Sequence, residues 1–191
     1  SGLGALVILG WLVHAPLLIQ VNRNWAPMQF NTALLFLLLG IAIRGQSKHW
    51  PISTWLSSTI ALFAGLTLIQ YLAHVNLGID QLLMRAYIMI ETSHPGRMAP
   101  NTAVCFTLMG LGLLNRRPVI QLVFFSMALS LSFIAFVGYL SEITPTYGWA
   151  SWTRMAIHTS LGFLVAGFGS MGYLFLDSRV LKLDLAWPIL V

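Results

Sequence analysis

Charge is what this chain has least of. Aspartate, glutamate, lysine and arginine make up 8% of its residues and hydrophobic residues 58%, against about 25% and about 45–50% in ordinary soluble domains. A large water-facing domain is excluded on that ground. Only five carboxylates are present, and no Asp or Glu pair falls inside an apolar stretch. The P-loop, the H-E-x-x-H pair and the nucleophile elbow are all missing, so the sequence points away from an enzyme. A single cysteine, Cys105, cannot close an internal disulfide and leaves the redox compartment undecided. The formal charge of +5 comes from ten cations scattered over loops and ends. That distribution reads as an orientation signal and not as a nucleic-acid surface. No cleavable signal peptide is evident, because the first apolar tract is too long and has no basic segment ahead of it.

Long tracts without charge are what the chain has instead. They cover 1–22, 24–43, 49–79, 98–115, 118–141 and 155–176. A hydrocarbon layer about 30 Å thick needs about 20 apolar residues in helical form, so each tract can cross one. The expected fold is an all-α integral membrane protein with six transmembrane helices near 3–21, 28–44, 52–76, 99–115, 118–140 and 155–176. The membrane domain then occupies 1–176, and 177–191 forms a cytoplasmic helix extension. Its apolar end, Trp187-Pro188-Ile189-Leu190-Val191, reads as cut short, part of a longer polypeptide. Arg44, Lys48, Arg116 and Arg117 in the two short loops mark those loops as cytoplasmic, which puts both termini there too.

Internal repetition is the most specific signal. Met28-Gln29-Phe30-Asn31-Thr32-Ala33 leads through Phe36 to Gly40, Met98-Ala99-Pro100-Asn101-Thr102-Ala103 through Phe106 to Gly110, and Met155-Ala156-Ile157-His158-Thr159-Ser160 through Phe163 to Gly167. Ahead of each copy stands another repeat: Gly10-Trp11-Leu12-Val13-His14, Gln70-Tyr71-Leu72-Ala73-His74 and Gly138-Tyr139-Leu140-Ser141-Glu142. The pattern predicts three helical hairpins, about 1–45, 50–115 and 118–176, pseudo-threefold about the membrane normal, as in parallel repeats. Asn or Thr at the start of each second helix is expected to cap exposed amides. Gly40, Gly110 and Gly167 are expected to mark close helix packing.

Equivalent positions of the three repeats carry His14, His74, Glu142, Asn31, Asn101 and His158. Polar residues at membrane depth usually face a bundle interior or a cavity, so these six form the candidate ligand cluster. His14, His74 and Glu142 have the donor types of a two-histidine, one-carboxylate metal site. Histidines there also suit haem or a quinone head group, and a plain hydrogen-bond network explains the same residues, so the cofactor stays open. Gly167-Phe168-Gly169-Ser170-Met171-Gly172 matches a dinucleotide fingerprint but lies within an apolar helix with no strand before it, so it reads as a packing face. Asp80 is placed to cap a short amphipathic helix over 78–88, either a lid over the bundle or interfacial padding.

The motifs Pro27-Met28-Gln29-Phe30-Asn31-Thr32-Ala33, Leu77-Gly78-Ile79-Asp80, Pro95-Gly96-Arg97-Met98-Ala99-Pro100-Asn101-Thr102-Ala103 and Thr153-Arg154-Met155-Ala156-Ile157-His158-Thr159 resemble the N-terminal membrane region of certain bacterial sensor histidine kinases and diguanylate cyclases. The resemblance runs over nearly the whole chain. It implies a six-helix sensory input module of the bacterial inner membrane with no activity of its own. Its partners would be the lipid bilayer and a cytoplasmic effector carrying PAS, kinase or GGDEF domains. The competing expectation is an accessory or structural subunit of a larger photosynthetic or respiratory complex, with lipid, quinone or pigment bound and other membrane subunits as partners.

Overall fold

The computed structural model describes residues 2–149 and 151–176. All regular elements among these residues are helical: α1 (Gly2–Leu12), α2 (Pro16–Ile19), α3 (Phe30–Ser47), α4 (Ile52–Leu72), α5 (Pro100–Leu114), α6 (Pro118–Leu140) and α7 (Ile157–Leu176), with one 3-10 turn at Thr144–Thr146. Four of them, α3, α4, α6 and α7, are long and apolar enough to cross a membrane. The other two main helices, α1 and α5, are shorter at 11 and 15 residues. The expected extension at 177–191 lies outside the described residues.

Local chemistry explains the boundaries. Pro100 and Pro118 open α5 and α6 at a position where a missing amide hydrogen costs nothing. The expected helix at 3–21 is instead two pieces. His14 takes a left-handed conformation, φ 56°, and Pro16 then drives Ala15 into the extended region, so the chain cannot continue as one helix.

Each of α1, α4 and α6 ends at what we call the distal end, where α3, α5 and α7 begin. In the middle of the bundle α3, α5 and α7 touch one another. Around them, α1 lies on α3, α4 on both α3 and α5, and α6 on both α5 and α7. Where the inner helices meet, Phe36, Phe106 and Phe163 form a triangle with centroid separations of 4.9, 4.7 and 4.6 Å. Tilted and edge-on contacts of this kind add about 0.5–1.5 kcal/mol per pair beyond burial.

The outer surface is apolar, and several polar side chains lie inside beside the hydrophobic core. Leu62 and Leu72 of α4, Phe133 and Leu140 of α6, and Val165 and Phe168 of α7 face outward, while Ser57, Thr67, Gln70, Ser132 and Ser160 are buried. Lipid tails are as apolar as leucine, so buried polar and small side chains add to the helix contact that the apolar core makes. An all-helical chain with four such helices and this surface is consistent with a helical membrane protein.

Small residues set the closest approaches. A Cβ on Gly110 would meet backbone atoms of Ala61 and Ser57 at 2.9 Å, and one on Gly167 would meet Leu129 at 2.9 Å. These two glycines pack as expected, whereas Gly40 is half-buried and lines a cleft.

Candidate functional site at the distal end

The repeat-equivalent residues His14, His74 and Glu142 have a common backbone role. All three are exposed and left-handed, with φ of 56°, 53° and 56°. The amide of the following residue reaches back to a helix carbonyl in each case: Ala15 to Gly10 at 2.9 Å, Val75 to Gln70 at 3.2 Å, and Ile143 to Gly138 at 2.9 Å. This is the Schellman ending of a helix, in which the left-handed residue lets the last free carbonyls find partners. Among the described residues no three His, Cys, Asp or Glu side chains lie close enough to hold a metal. The two-histidine, one-carboxylate arrangement of His14, His74 and Glu142 is therefore not assembled. Their recurrence reflects helix termination, and each sits on a different hairpin.

Three residues before each cap stands an aromatic donor, and here the repeat is exact in its bonding. Trp11 Nε1 donates to the Met28 carbonyl at 2.9 Å, Tyr71 Oη to that of Met98 at 3.0 Å, and Tyr139 Oη to that of Met155 at 2.6 Å. Each bond joins the end of a first helix to the start of the second helix of its own hairpin.

The buried members of the cluster act between hairpins. Asn31 Nδ2 donates to the Asp80 carbonyl at 2.7 Å, and Asn101 Nδ2 donates to the Tyr147 carbonyl at 3.1 Å. His158 faces the carbonyl of Ile19, but its geometry falls short of a full hydrogen bond, and neither ring nitrogen has a partner among the described residues. Hairpin one thus holds hairpin two, two holds three, and three leans on one. Asn31 forms no side-chain cap on α3, and Asn101 caps only its neighbour: its Oδ1 accepts from Thr102 N at 3.0 Å.

An ion pair that sequence reasoning did not single out lies beside them. Arg97 Nε donates to Asp80 Oδ2 at 2.8 Å, with both side chains buried. Gln70 bridges the two: its Nε2 donates to Asp80 Oδ1 at 3.0 Å and its Oε1 accepts from Arg97 at 3.2 Å and from Leu77 N at 2.9 Å. The Arg97 guanidinium also lies 5.3 Å from the Tyr71 ring centroid. With its carboxylate engaged in this way, Asp80 caps no helix.

The expected amphipathic helix over 78–88 is absent, and irregular chain runs in its place. Met84, Ala86 and Ile88 turn inward in alternation and pack on the core, which is the period of an extended segment laid over a surface. This strap touches all three hairpins. Tyr87 stacks on His14 at 4.8 Å and meets Trp11 edge-on at 4.7 Å. Thr92 Oγ1 accepts from Gln29 at 3.4 Å. Glu91 pairs with Arg154 at 2.9 Å, and Ser93 exchanges two hydrogen bonds with Thr153. Partial burial, reinforced by the Arg97 charge, holds His94 below the ordinary imidazole range. Burial also pushes the Tyr87 phenol up.

At the opposite end a polar recess of about 590 Å³ is lined by Gln46, His49, Asn115, Arg116 and Gln121 among others. Gln46 donates to the Leu113 carbonyl at 3.3 Å and Gln121 to that of Asn115 at 2.7 Å, which satisfies the C-terminal end of α5.

Among the described residues every regular element is helical, and the apolar surface is consistent with a helical membrane protein. No protein-family model, curated protein or solved structure matches the chain.

Proposed function

We propose that the chain is a membrane-embedded sensory input module, six helices crossing the bilayer as three hairpins about a pseudo-threefold axis, with no catalysis of its own. The class it resembles is the N-terminal membrane region of bacterial sensor histidine kinases and diguanylate cyclases. Repetition of one aromatic-to-methionine bond in every hairpin, together with the nearly equilateral phenylalanine triangle, supports the threefold arrangement. The closely spaced cations of the two short turns, Arg44, Lys48, Arg116 and Arg117, support a cytoplasmic placement of those turns in a bacterial inner membrane.

One observation carries the sensory reading. The strap over 84–94 rests on all three hairpins through contacts that are partly exposed, so a cue that displaces it acts on every hairpin together. Segments that switch come from the weakly held part of a structure, and α7, which shares the phenylalanine triangle, conducts the change to the other end.

The accessory-subunit reading has its own support: an added Cβ at Gly169 or Gly172 of α7 meets nothing within 4 Å, a bare helix face of the sort that receives another helix. The two readings separate on the native gene. Following the reading frame past Val191 should disclose a PAS, kinase or GGDEF segment whose output changes in a Tyr87→Ala variant. A stop codon, with stoichiometric co-purification of other membrane subunits, would sink the sensor reading.

A further inference from the structure

Two flanks of the bundle are covered by long helices, and on the third the short α1 reaches α7 through Leu3 beside Gly162. Helix α4 covers the flank of α3, and α6 covers the flank of α5. Beside α7, the 11 residues of α1 leave a cleft of about 490 Å³. That volume lies within the roughly 300–1,000 Å³ of ligand pockets. Its lining is apolar: Phe36, Leu39 and Ile43 come from α3, and Leu161, Val165 and Gly169 of α7 stand exposed at its mouth. Among the described residues His158 is the one polar side chain lining it.

His158 occupies the repeat position of Asn31 and Asn101, but where those amides are bonded to the next hairpin, its two nitrogens are unpartnered. The residue is only 9% exposed, so bulk water does not serve it. A buried donor or acceptor left without a partner is costly. One nitrogen at most can turn to the Ile19 carbonyl, which leaves the other for a group in the cleft.

We propose that this cleft binds a single-chain amphiphile whose uncharged hydroxyl head hydrogen-bonds to His158 while its tail lies between α3 and α7. A charged head is disfavoured, because no cation lines the cleft and an unpaired ion would be buried among apolar walls. A hydroxyl both donates and accepts, so it satisfies either tautomer of a neutral imidazole. The tail lies along the apolar lining supplied by Leu39 and Ile43 of α3 and Ala166 of α7. This assignment rests on the membrane reading and adds a ligand class to the sensory one.

The test uses the full chain in lipid nanodiscs and a 16-carbon primary alcohol carrying a diazirine in its chain. Photolabelling should saturate, map to peptides of α3 and α7, and be competed by unlabelled hexadecanol but not by hexadecanoate or hexadecane. His158→Leu should weaken apparent affinity about tenfold, the loss of one good hydrogen bond, and His158→Gln should restore most of it. Gly169→Leu should abolish labelling without unfolding, since the added side chain enters open space. Labelling that does not saturate, that maps elsewhere, that is competed equally by hexadecanoate, or that ignores His158→Leu and Gly169→Leu would overturn the assignment. A chain that enters nanodiscs yet takes no probe defeats this proposal alone, whereas one that cannot be reconstituted defeats the membrane reading with it.

Discussion

Asp80 and Arg97 lie 17 positions apart with no local pattern linking them, yet they form the only buried ion pair among the described residues. Removing one partner of such a pair strands a charge and costs about 3–5 kcal/mol, whereas neutral partners of similar volume often cost far less. Arg97→Met should therefore destabilise the folded bundle by about 3–5 kcal/mol, and Asp80→Asn added to it should recover most of that loss. Unfolding by steric trapping in bicelles measures both; equal destabilisation of the single and double variants would contradict the pairing. The same scale shows what could be read from sequence. Repetition singled out Asn31, Asn101 and His158 as part of a ligand cluster, whereas Asn31 and Asn101 bond to the next hairpin and His158 has no hydrogen-bond partner among the described residues. It also located His14, His74 and Glu142, but as a ligand cluster, when their recurrence comes from helix endings that need a left-handed residue. Side-chain type alone does not distinguish a terminal position from a pocket wall. Asp80 reads from sequence as a helix cap, and its pairing with Arg97 and Gln70 leaves no periodic trace that could have shown it.

Helices were legible as elements and their ends less so. Charge-free tracts located all six main helices, because each charge falls outside the apolar core of a helix. The first was overextended, since Pro16 was counted as an apolar residue and not as a break. The segment 78–88 reads as an amphipathic helix and is irregular chain, although alternation at Met84, Ala86 and Ile88 was the available signal. Packing between elements makes a sharper prediction at the glycines. A Cβ on Gly110 meets backbone of α4, which cannot swing aside, while one on Gly172 meets nothing within 4 Å. Gly110→Ala should then cost about 1–3 kcal/mol through forced separation of α4 and α5. Gly172→Ala should be neutral or stabilising by up to about 1 kcal/mol through helix propensity. Thermal unfolding in one detergent compares the two, and a larger loss at Gly172 would contradict the packing.

At the scale of the whole molecule, the three sequence copies share one bonding pattern. Each hairpin spends its first-helix aromatic on its own methionine carbonyl, sends one polar side chain toward its neighbour, and gives one phenylalanine to the centre. Equal offsets in the chain then become equal roles in space. The departures from that pattern are also informative: the middle hairpin has the long strap that crosses the other two, and the short α1 leaves a cleft beside α7. Helix length is the feature on which the account stands or falls, since α1 and α5 are short and a bundle crossing the bilayer only at α3, α4, α6 and α7 would leave the two short turns on opposite sides.

Side-specific labelling of single cysteines in sealed vesicles decides between these topologies, and buried Cys105 leaves a silent background. Cysteines introduced at the exposed positions Lys48 and Arg117 should react from one side only, and those at Asn22, Asn76 and Glu142 only from the other. Labelling of position 117 from the same side as position 76 would mean that α5 does not cross, and would contradict the three-hairpin account.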